Sequence, residues 1–413
     1  MEPKSVEEMS NNVGVYLFGN LEALTSRHQY LERNSFSQLS RLLFCLKSCY
    51  NVDEIKVGRR MKKEYELLKK LSLVAGVPGN EKKVSELISH EIKPFVDELT
   101  YDNLGSVIGQ KGQQGPKVMI AGHMDEVGLL VTQITKEGFV KFQTLGGWFS
   151  QVMLAQVWEI HTKKGIVLGV TGVKPPHIIP ADKRNVAIDI QTMYLDLGVS
   201  SKEEAEKLGV EPGNMVVPRG SFEVLGNDKY LLGKAWDNRI GSAVVIEVLK
   251  RLQGELNNQL FATFTVQEEV GLRGAKTSSY AVAPEIAIAV DTGLANDVPG
   301  GDANEQSLGK GPQILLYDAG LVPNQALRKF VIDVAKEENI PYQEAFITGG
   351  RTDAGHMHLA HQGAASLSIG IPTRYMHSHT SIIHYDDYEN TVKLMVAVLK
   401  KLDRQAADQI LSK

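Results

Sequence analysis

VMIAGHMDEVG, residues 118–128, runs from four apolar residues, Val118 to Ala121, through a glycine into His123, Asp125 and Glu126. An apolar run this short has the length of a strand buried on both faces, as strands are inside a helix-covered sheet. In such sheets, ligand-binding and reactive groups gather just beyond the C-terminal ends of the strands. His123 and Asp125 therefore stand where a site is expected.

Upstream, MKKEYELLKKLSLVAGVPG (61–79) spaces Tyr65, Leu68, Leu71 and Leu73 as one helical face and stops at Gly76, Pro78 and Gly79. A second helix is expected with Val84, Leu87, Ile88, Ile92 and Phe95 on its apolar side. Downstream the texture changes. From about 128 to 232, short alternating runs such as GFVKFQ, VWEIHTKKGIVLGVTG and NVAIDI are split by Gly and Pro, which reads as a β-barrel-like insertion. SSKEEAEKLGV offers one short helix there, with a Ser N-cap and an acidic first turn. From GKAWDNRIGSAVVIEVLKRL onward, helices alternate with the apolar runs LFATFTV, EIAIAV, ILLYD and AASLSIGI, and a final helix covers about 388–403. The expected fold class is α/β: a mostly parallel sheet with flanking helices, built from residues 61–127 and 233–408 and interrupted by a β-rich insertion at 128–232. Residues 1–60 show no such organisation and read as an extension. Met61 follows Val-Gly-Arg-Arg, which purine-rich codons of the ribosome-binding type would encode, so it is the expected start.

The 413 residues carry 45 basic and 49 acidic side chains, a balance that points away from nucleic acid as a partner. No apolar stretch approaches the roughly 18 residues that span a bilayer, and no basic segment followed by an apolar run opens the chain, so a cytoplasmic protein is expected. The two cysteines, Cys45 and Cys49, cannot make a disulfide framework. A metal site in the rest of the chain must use His, Asp and Glu, which suits hydrolytic metals better than a structural thiolate zinc.

Polar residues recur at the expected strand ends. Glu268 and Glu269 follow FATFTVQ, Asp291 follows EIAIAV, His377 comes shortly after SLSIGIP, and Asp237 opens a helix at AWDNRIG. Singly, each has a bland explanation: a satisfied polar His, a turn Asp before Thr292 and Gly293, an N-cap at Asp237. Adjacent Glu268 and Glu269 resist such a reading, because two carboxylates at the end of an apolar strand repel each other and desolvate poorly unless a cation relieves them. The inventory fits a two-metal hydrolase, which needs a bridging Asp, a His and a carboxylate for each ion, and one free carboxylate to take a proton from water. Asp125, two residues after His123, adds a carboxylate able to fix an imidazole's tautomer and orientation.

AGHMDEVG, AWDNR, VQEEVGLRGA, AVDTG, GRTDAGHMH and RYMHS occur in that order, and from Met61 to the C-terminus the chain resembles the cytosolic aminopeptidases of the glutamyl and deblocking type, which include the large tetrahedral aminopeptidases. That resemblance implies a zinc-peptidase-like catalytic domain and two divalent ions (Zn, Co or Mn). Asp237 would bridge them, with His123 and Asp291 completing one site and Glu269 and His377 the other. It further implies Glu268 as general base and later acid, and Asp125 as the residue that orients His123. Spacing alone does not divide the roles of Glu268 and Glu269. The implied partners are peptide substrates and further copies of the chain, with the insertion driving dimerisation and dimers able to form a twelve-subunit tetrahedron.

Arg351 departs from the family, which commonly has glycine before Thr-Asp-Ala-Gly. It is a candidate for contacting an acidic substrate side chain, although surface arginine is the commoner outcome. His356, His358, His361, His379 and His384 are expected not to be ligands, since five ligands already satisfy two ions. Competing functions are a carboxypeptidase or deacylase of the related binuclear group and a non-catalytic scaffold. A glycosidase would need two free carboxylates flanking the sugar.

Overall fold

The computed structural model describes residues 62–301 and 306–412; the 1–60 extension, with Cys45 and Cys49, lies outside them. Val118–Ala121 form part of strand Lys117–His123, and their side chains are fully buried. Strands Gln259–Thr265 and Ile286–Leu294 flank it in parallel, and Ala365–Arg374 continues the parallel set. Around this centre the eleven-stranded sheet is antiparallel, apart from the parallel pair Gln313–Tyr317 and Gln343–Phe346. Val107–Lys111 and then Glu98–Tyr101 lie on one side, and Ser381–His384, Tyr230–Gly233 and Glu223–Val224 on the other. Gln313–Tyr317 and Gln343–Phe346 branch from Ala365–Arg374. The sheet is thus mixed: the expected parallel arrangement describes its four central strands, whose connections carry helices, while the flanks close by antiparallel neighbours.

Between Gly128 and Pro218, six strands close into a barrel around Leu129, Val131, Val140, Trp158, Ile160, Leu195 and Val216. Its alternation is that of a sheet with one face inward. Tyr230–Gly233 shows a similar texture but pairs with Ser381–His384 in the large sheet, because antiparallel edge strands and barrel strands share the same period of two. Helix Lys202–Lys207 begins at Ser201, whose Oγ accepts from Glu204 N, while the Glu204 carboxylate accepts from Ser200 N.

Helix Glu66–Leu73 buries Leu68 and Leu71 but leaves Leu73 exposed. The spacing of its face continues to Ser72, whose Oγ donates to Lys234 O. The final helix runs Tyr385–Lys401, and a separate helix, Arg404–Leu411, follows, capped by Asp403. Among the described residues no helix is long and apolar enough to cross a membrane.

Helix Trp236–Arg251 is buried almost all round. It lies unusually close to the strands: a Cβ on Gly241 would fall 2.2 Å from Val290 O, and one on Gly122 would fall 2.8 Å from Gly241 C. Only glycine permits that approach. Arg239, on the same helix, is fully buried and donates to the carbonyls of Leu71, Val74, Gly76 and Met124. It also faces Glu126, which takes two short bonds from buried Lys234. One guanidinium thus ties the first helix, the loop after His123 and the central helix together. Arg239→Ala is expected to lower unfolding free energy by about 3–5 kcal/mol, because it removes a donor from four buried carbonyls and leaves Glu126 with Lys234 as its one remaining cationic partner among the described residues. Chemical denaturation at fixed protein concentration measures this, and a loss below about 1 kcal/mol would contradict the role.

Candidate active site

The polar residues singled out in the sequence converge on one cleft of about 380 Å³ at the C-terminal ends of the central strands. His123 ends its strand, Asp291 sits within Ile286–Leu294, and Glu268 and Glu269 follow Gln259–Thr265. Asp237 lies at the start of the central helix, where its own φ/ψ (−82°, 107°) and those of Asn238 depart from helical values. Asn238 holds that turn by donating to Val290 O and accepting from Gly241 N. His377 sits in the loop after Ala365–Arg374 at φ 56°. His123 Nε2 lies 3.2 Å from Asp237 Oδ1 and 3.8 Å from both Glu268 Oε2 and Asp291 Oδ1. His377 Nε2 lies 3.2 Å from Asp237 Oδ2 and 3.3 Å from Glu269 Oε1. The two Asp237 oxygens thus face different imidazoles.

Buried carboxylates behind the cleft orient these groups. His123 Nδ1 is 3.0 Å from the backbone carbonyl of Asp125. A carbonyl only accepts, so the proton is on Nδ1 and the Nε2 lone pair is free to face the cleft whenever the ring is neutral. The Asp125 carboxylate is the group that the resemblance implies orients this ring. That group stands 3.6 Å from Nδ1, within ion-pair range, and also accepts from the amides of Glu268 and Glu269, both at 3.0 Å. The preceding amide, of Gln267, donates to Glu81 Oε1, which also accepts from Gly79 N. Three successive amides therefore point back at two buried carboxylates. Gln267 adopts φ 56°, a left-handed conformation that costs energy outside glycine.

Glu81 had no local signal, since it reads as an acidic residue just before helix Lys82–Ile92 and meets Gln267 only through the fold. Asp353, inside GRTDAGHMH, was also passed over. It is buried, accepts from Thr265 Oγ1 through one oxygen, and leaves the other without a hydrogen-bond partner among the described residues. Burial pushes its carboxyl up to about 6.

The remaining histidines have other contacts. His379 donates from Nε2 to Val157 O and packs edge-on against Trp158, and burial pushes it down to about 4. His384 caps the last long helix through Nδ1, His358 bonds Ala354 O, and His361 stacks on Tyr280. His356 is half-buried and belongs to no candidate cluster of metal-binding groups among the described residues. Arg351 lines the cleft with an exposed side chain.

Burial pushes Glu268 and Asp291 well above the usual carboxylate range and raises Glu269. Asp237 is partly buried, yet His123 and His377 hold it low. Burial alone would depress both imidazoles; the surrounding carboxylates reverse this, lifting His123 well above its ordinary value and His377 to about 11. Four carboxylates against two imidazoles leave an excess of buried negative charge, which divalent cations relieve. Among the described residues Glu269 Oε1 is buried without a hydrogen-bond partner despite its approach to His377, and donor atoms of His123, Asp237 and Glu269, and of His123, Glu268 and Asp291, each cluster within 4.8 Å. This donor set fits metal ions.

A mixed sheet with a barrel insertion and a carboxylate–imidazole cleft at its strand ends defines a metal-dependent peptide hydrolase of the aminopeptidase class. The chain belongs to the M42 glutamyl aminopeptidase family, whose model matches residues 105–394. It is 42% identical to a TET aminopeptidase from a marine-sediment thaumarchaeote, with TM-score 0.82, covering 84% of this chain and 99% of that one. The lysyl aminopeptidase of Pyrococcus furiosus is 36% identical over 82% of this chain and 97% of its own length. The Pyrococcus horikoshii TET1 peptidase, described as assembling into a tetrahedron or a large octahedral shell, is 34% identical with TM-score 0.75, over 82% of this chain and 99% of that one.

Burial, then the charge of Asp125, pushes Glu81 up to about 7 from an ordinary 4.5. The fold therefore favours its neutral form: its contribution to stability is complete below about pH 4.5 and is lost as pH rises through about 7. Glu81→Gln keeps an acceptor for both amides and removes the titration. Its stability relative to the parent should rise by on the order of 3 kcal/mol between about pH 4 and pH 8. Denaturation of both proteins across that range tests it; a pH-independent difference contradicts the assignment.

Proposed function

We propose that this enzyme removes N-terminal residues from peptides with two divalent ions. His123, Asp237 and Asp291 would hold one, and Asp237, Glu269 and His377 the other. The observation that carries this reading is the division of Asp237, whose oxygens each lie 3.2 Å from a different imidazole. Zinc, cobalt or manganese suits the mixed oxygen and nitrogen donors. When bound, such ions polarise the scissile carbonyl and acidify water.

Glu268 is buried beside the cluster and outside that ligand set. Its carboxylate accepts the proton of the attacking water and returns it to the leaving amine. Asp125 acts through its backbone carbonyl on His123 and through its carboxylate on the Glu268–Glu269 backbone, which makes it a positioning residue.

Arg351 is proposed to pair with an acidic side chain of the substrate, a reading supported by its place in the cleft and by the family's description as glutamyl aminopeptidases. The lysyl activity named for the P. furiosus relative implies that preference varies among matching proteins. The barrel is proposed to mediate dimers, and dimers a twelve-subunit assembly. Strand Gly165–Thr171 supports this by exposing Ile166, Leu168 and Val170 along one outward face.

The test of the reaction is a metal-reconstituted assay with aminoacyl p-nitroanilides beside N-acylated counterparts. Cleavage of the free amines alone is expected; preference for the acylated series would favour a deacylase. Glu268→Gln should retain both ions while turnover falls by several orders of magnitude, whereas Asp237→Asn should lose metal. Metal content and kcat, measured on the same preparations, separate the two roles. Arg351→Gly should lower the ratio of acidic to aliphatic substrate turnover, and an unchanged ratio would remove Arg351 from the specificity pocket.

A further inference from the structure

We propose that the Gly146–Gly147 turn of the barrel is a positioning element for Glu269 and His377, setting by its close approach where those two side chains stand. Strand Val140–Leu145 ends one residue before the turn, and the chain then enters the short helix Ser150–Met153. A Cβ on Gly147 would lie 3.3 Å from His377 Nδ1 and 3.6 Å from its Cε1. One on Gly146 would lie 3.1 Å from Glu269 Oε2 and 2.5 Å from Val127 Cγ1. The turn therefore passes close behind both side chains, leaving no room there for a side chain of its own, while His377 Nε2 and Glu269 Oε1 face each other at 3.3 Å inside the cleft.

The turn is itself fixed. Trp148 Nε1 donates to Gly128 O, and the Trp148 ring packs edge-on against buried Trp158 in the barrel core. His123 is oriented differently, by a hydrogen bond from Nδ1 to the Asp125 carbonyl within the sheet domain. The corresponding nitrogen of His377 faces Gly147 instead. His123 and Asp291 thus depend on the large sheet, whereas Glu269 and His377 are backed by the barrel. A displacement of a few tenths of an ångström at the turn moves one half of the cleft and leaves the other in place.

Gly146 has φ 84°, so any side chain there also strains the backbone, whereas Gly147 is absent from the left-handed region and is exposed. Gly147→Ala therefore adds a methyl against His377 with no backbone penalty, which makes it the informative variant. The inference rests on the assignment of Glu269 and His377 as ligands of one of two ions.

Metal-free protein, titrated with Co²⁺ by calorimetry and followed by the visible absorption of the bound ion, should bind two equivalents. In Gly147→Ala one equivalent should weaken about tenfold to a hundredfold, the range expected when the support of a ligand is disturbed, with the other within about threefold. Its absorption band should change shape. Gly147→Ala should add little to His377→Gln, because both act on the same ion. Trp148→Phe, which removes the bond anchoring the turn, should weaken the same equivalent. Thermal unfolding of the metal-free variants within a few degrees of the parent excludes global damage. Two equivalents bound by Gly147→Ala as in the parent, or equal weakening of both, would overturn the proposal. Fewer than two equivalents in the parent would instead overturn the two-metal reading beneath it.

Discussion

Withdrawing several carboxylates from water at one end of one sheet is the constraint on which the rest of this structure depends. Asp125, Glu268, Asp291 and Asp353 are all buried there, beside Glu81, Asp237 and Glu269. An isolated buried carboxylate is costly, and several together add mutual repulsion. The protein answers with backbone amides where the groups are structural and with imidazoles where they face the cleft. The amides of Gln267, Glu268 and Glu269 go to Glu81 and Asp125; His123 and His377 go to Asp237, Glu268, Glu269 and Asp291. What remains uncompensated is negative charge aimed into a cavity, and that residue of charge is what makes the cleft a cation site.

Such an arrangement requires a backbone that does not relax. Ala235, Gln267, Leu272, Tyr375 and His377 all adopt left-handed φ around the cleft, conformations that persist only where the surroundings over-determine them. Arg239 is one source of that determination. Its bonds to four carbonyls hold the loop following His123 and the first helix against the helix that starts at Asp237. The close approach of Gly241 to Val290 is another, because it brings Asp237 within reach of His123. The barrel then closes the remaining side, with Gly146 and Gly147 behind Glu269 and His377. Stability and site geometry are consequently the same problem in this fold.

Much of this was legible in the sequence, for reasons that can be named. Buried central strands are apolar throughout, so Val118–Ala121, LFATFTV and EIAIAV announced themselves, and strand ends follow from where each run stops. His123, Glu268, Glu269 and Asp291 stand out because a polar group at the end of an apolar strand lies at a known edge of an α/β sheet, while Asp237 opens a helix and His377 lies a few residues beyond its strand. The barrel was visible as a change of period. What strand period does not report is partnership: Tyr230–Gly233 alternates like a barrel strand yet pairs with Ser381–His384. Leu73 was assigned to the buried face of the first helix, which the structure gives to Ser72, because a hydroxyl with a carbonyl partner packs as well as a leucine would.

Element types, the α/β class and the chemical inventory of the cleft depend on local periodicity and on residue identity at strand ends, and so can be read along the chain. Which atoms meet is set by packing between distant segments. Packing brings the Asp125 carbonyl as well as its carboxylate to His123, gives Glu81 to Gln267 across 186 residues, splits Asp237 between two imidazoles, and sets two barrel glycines behind Glu269 and His377. Those contacts are long-range and depend on sub-ångström approach and hydrogen-bond direction, which residue type and spacing along a chain do not encode.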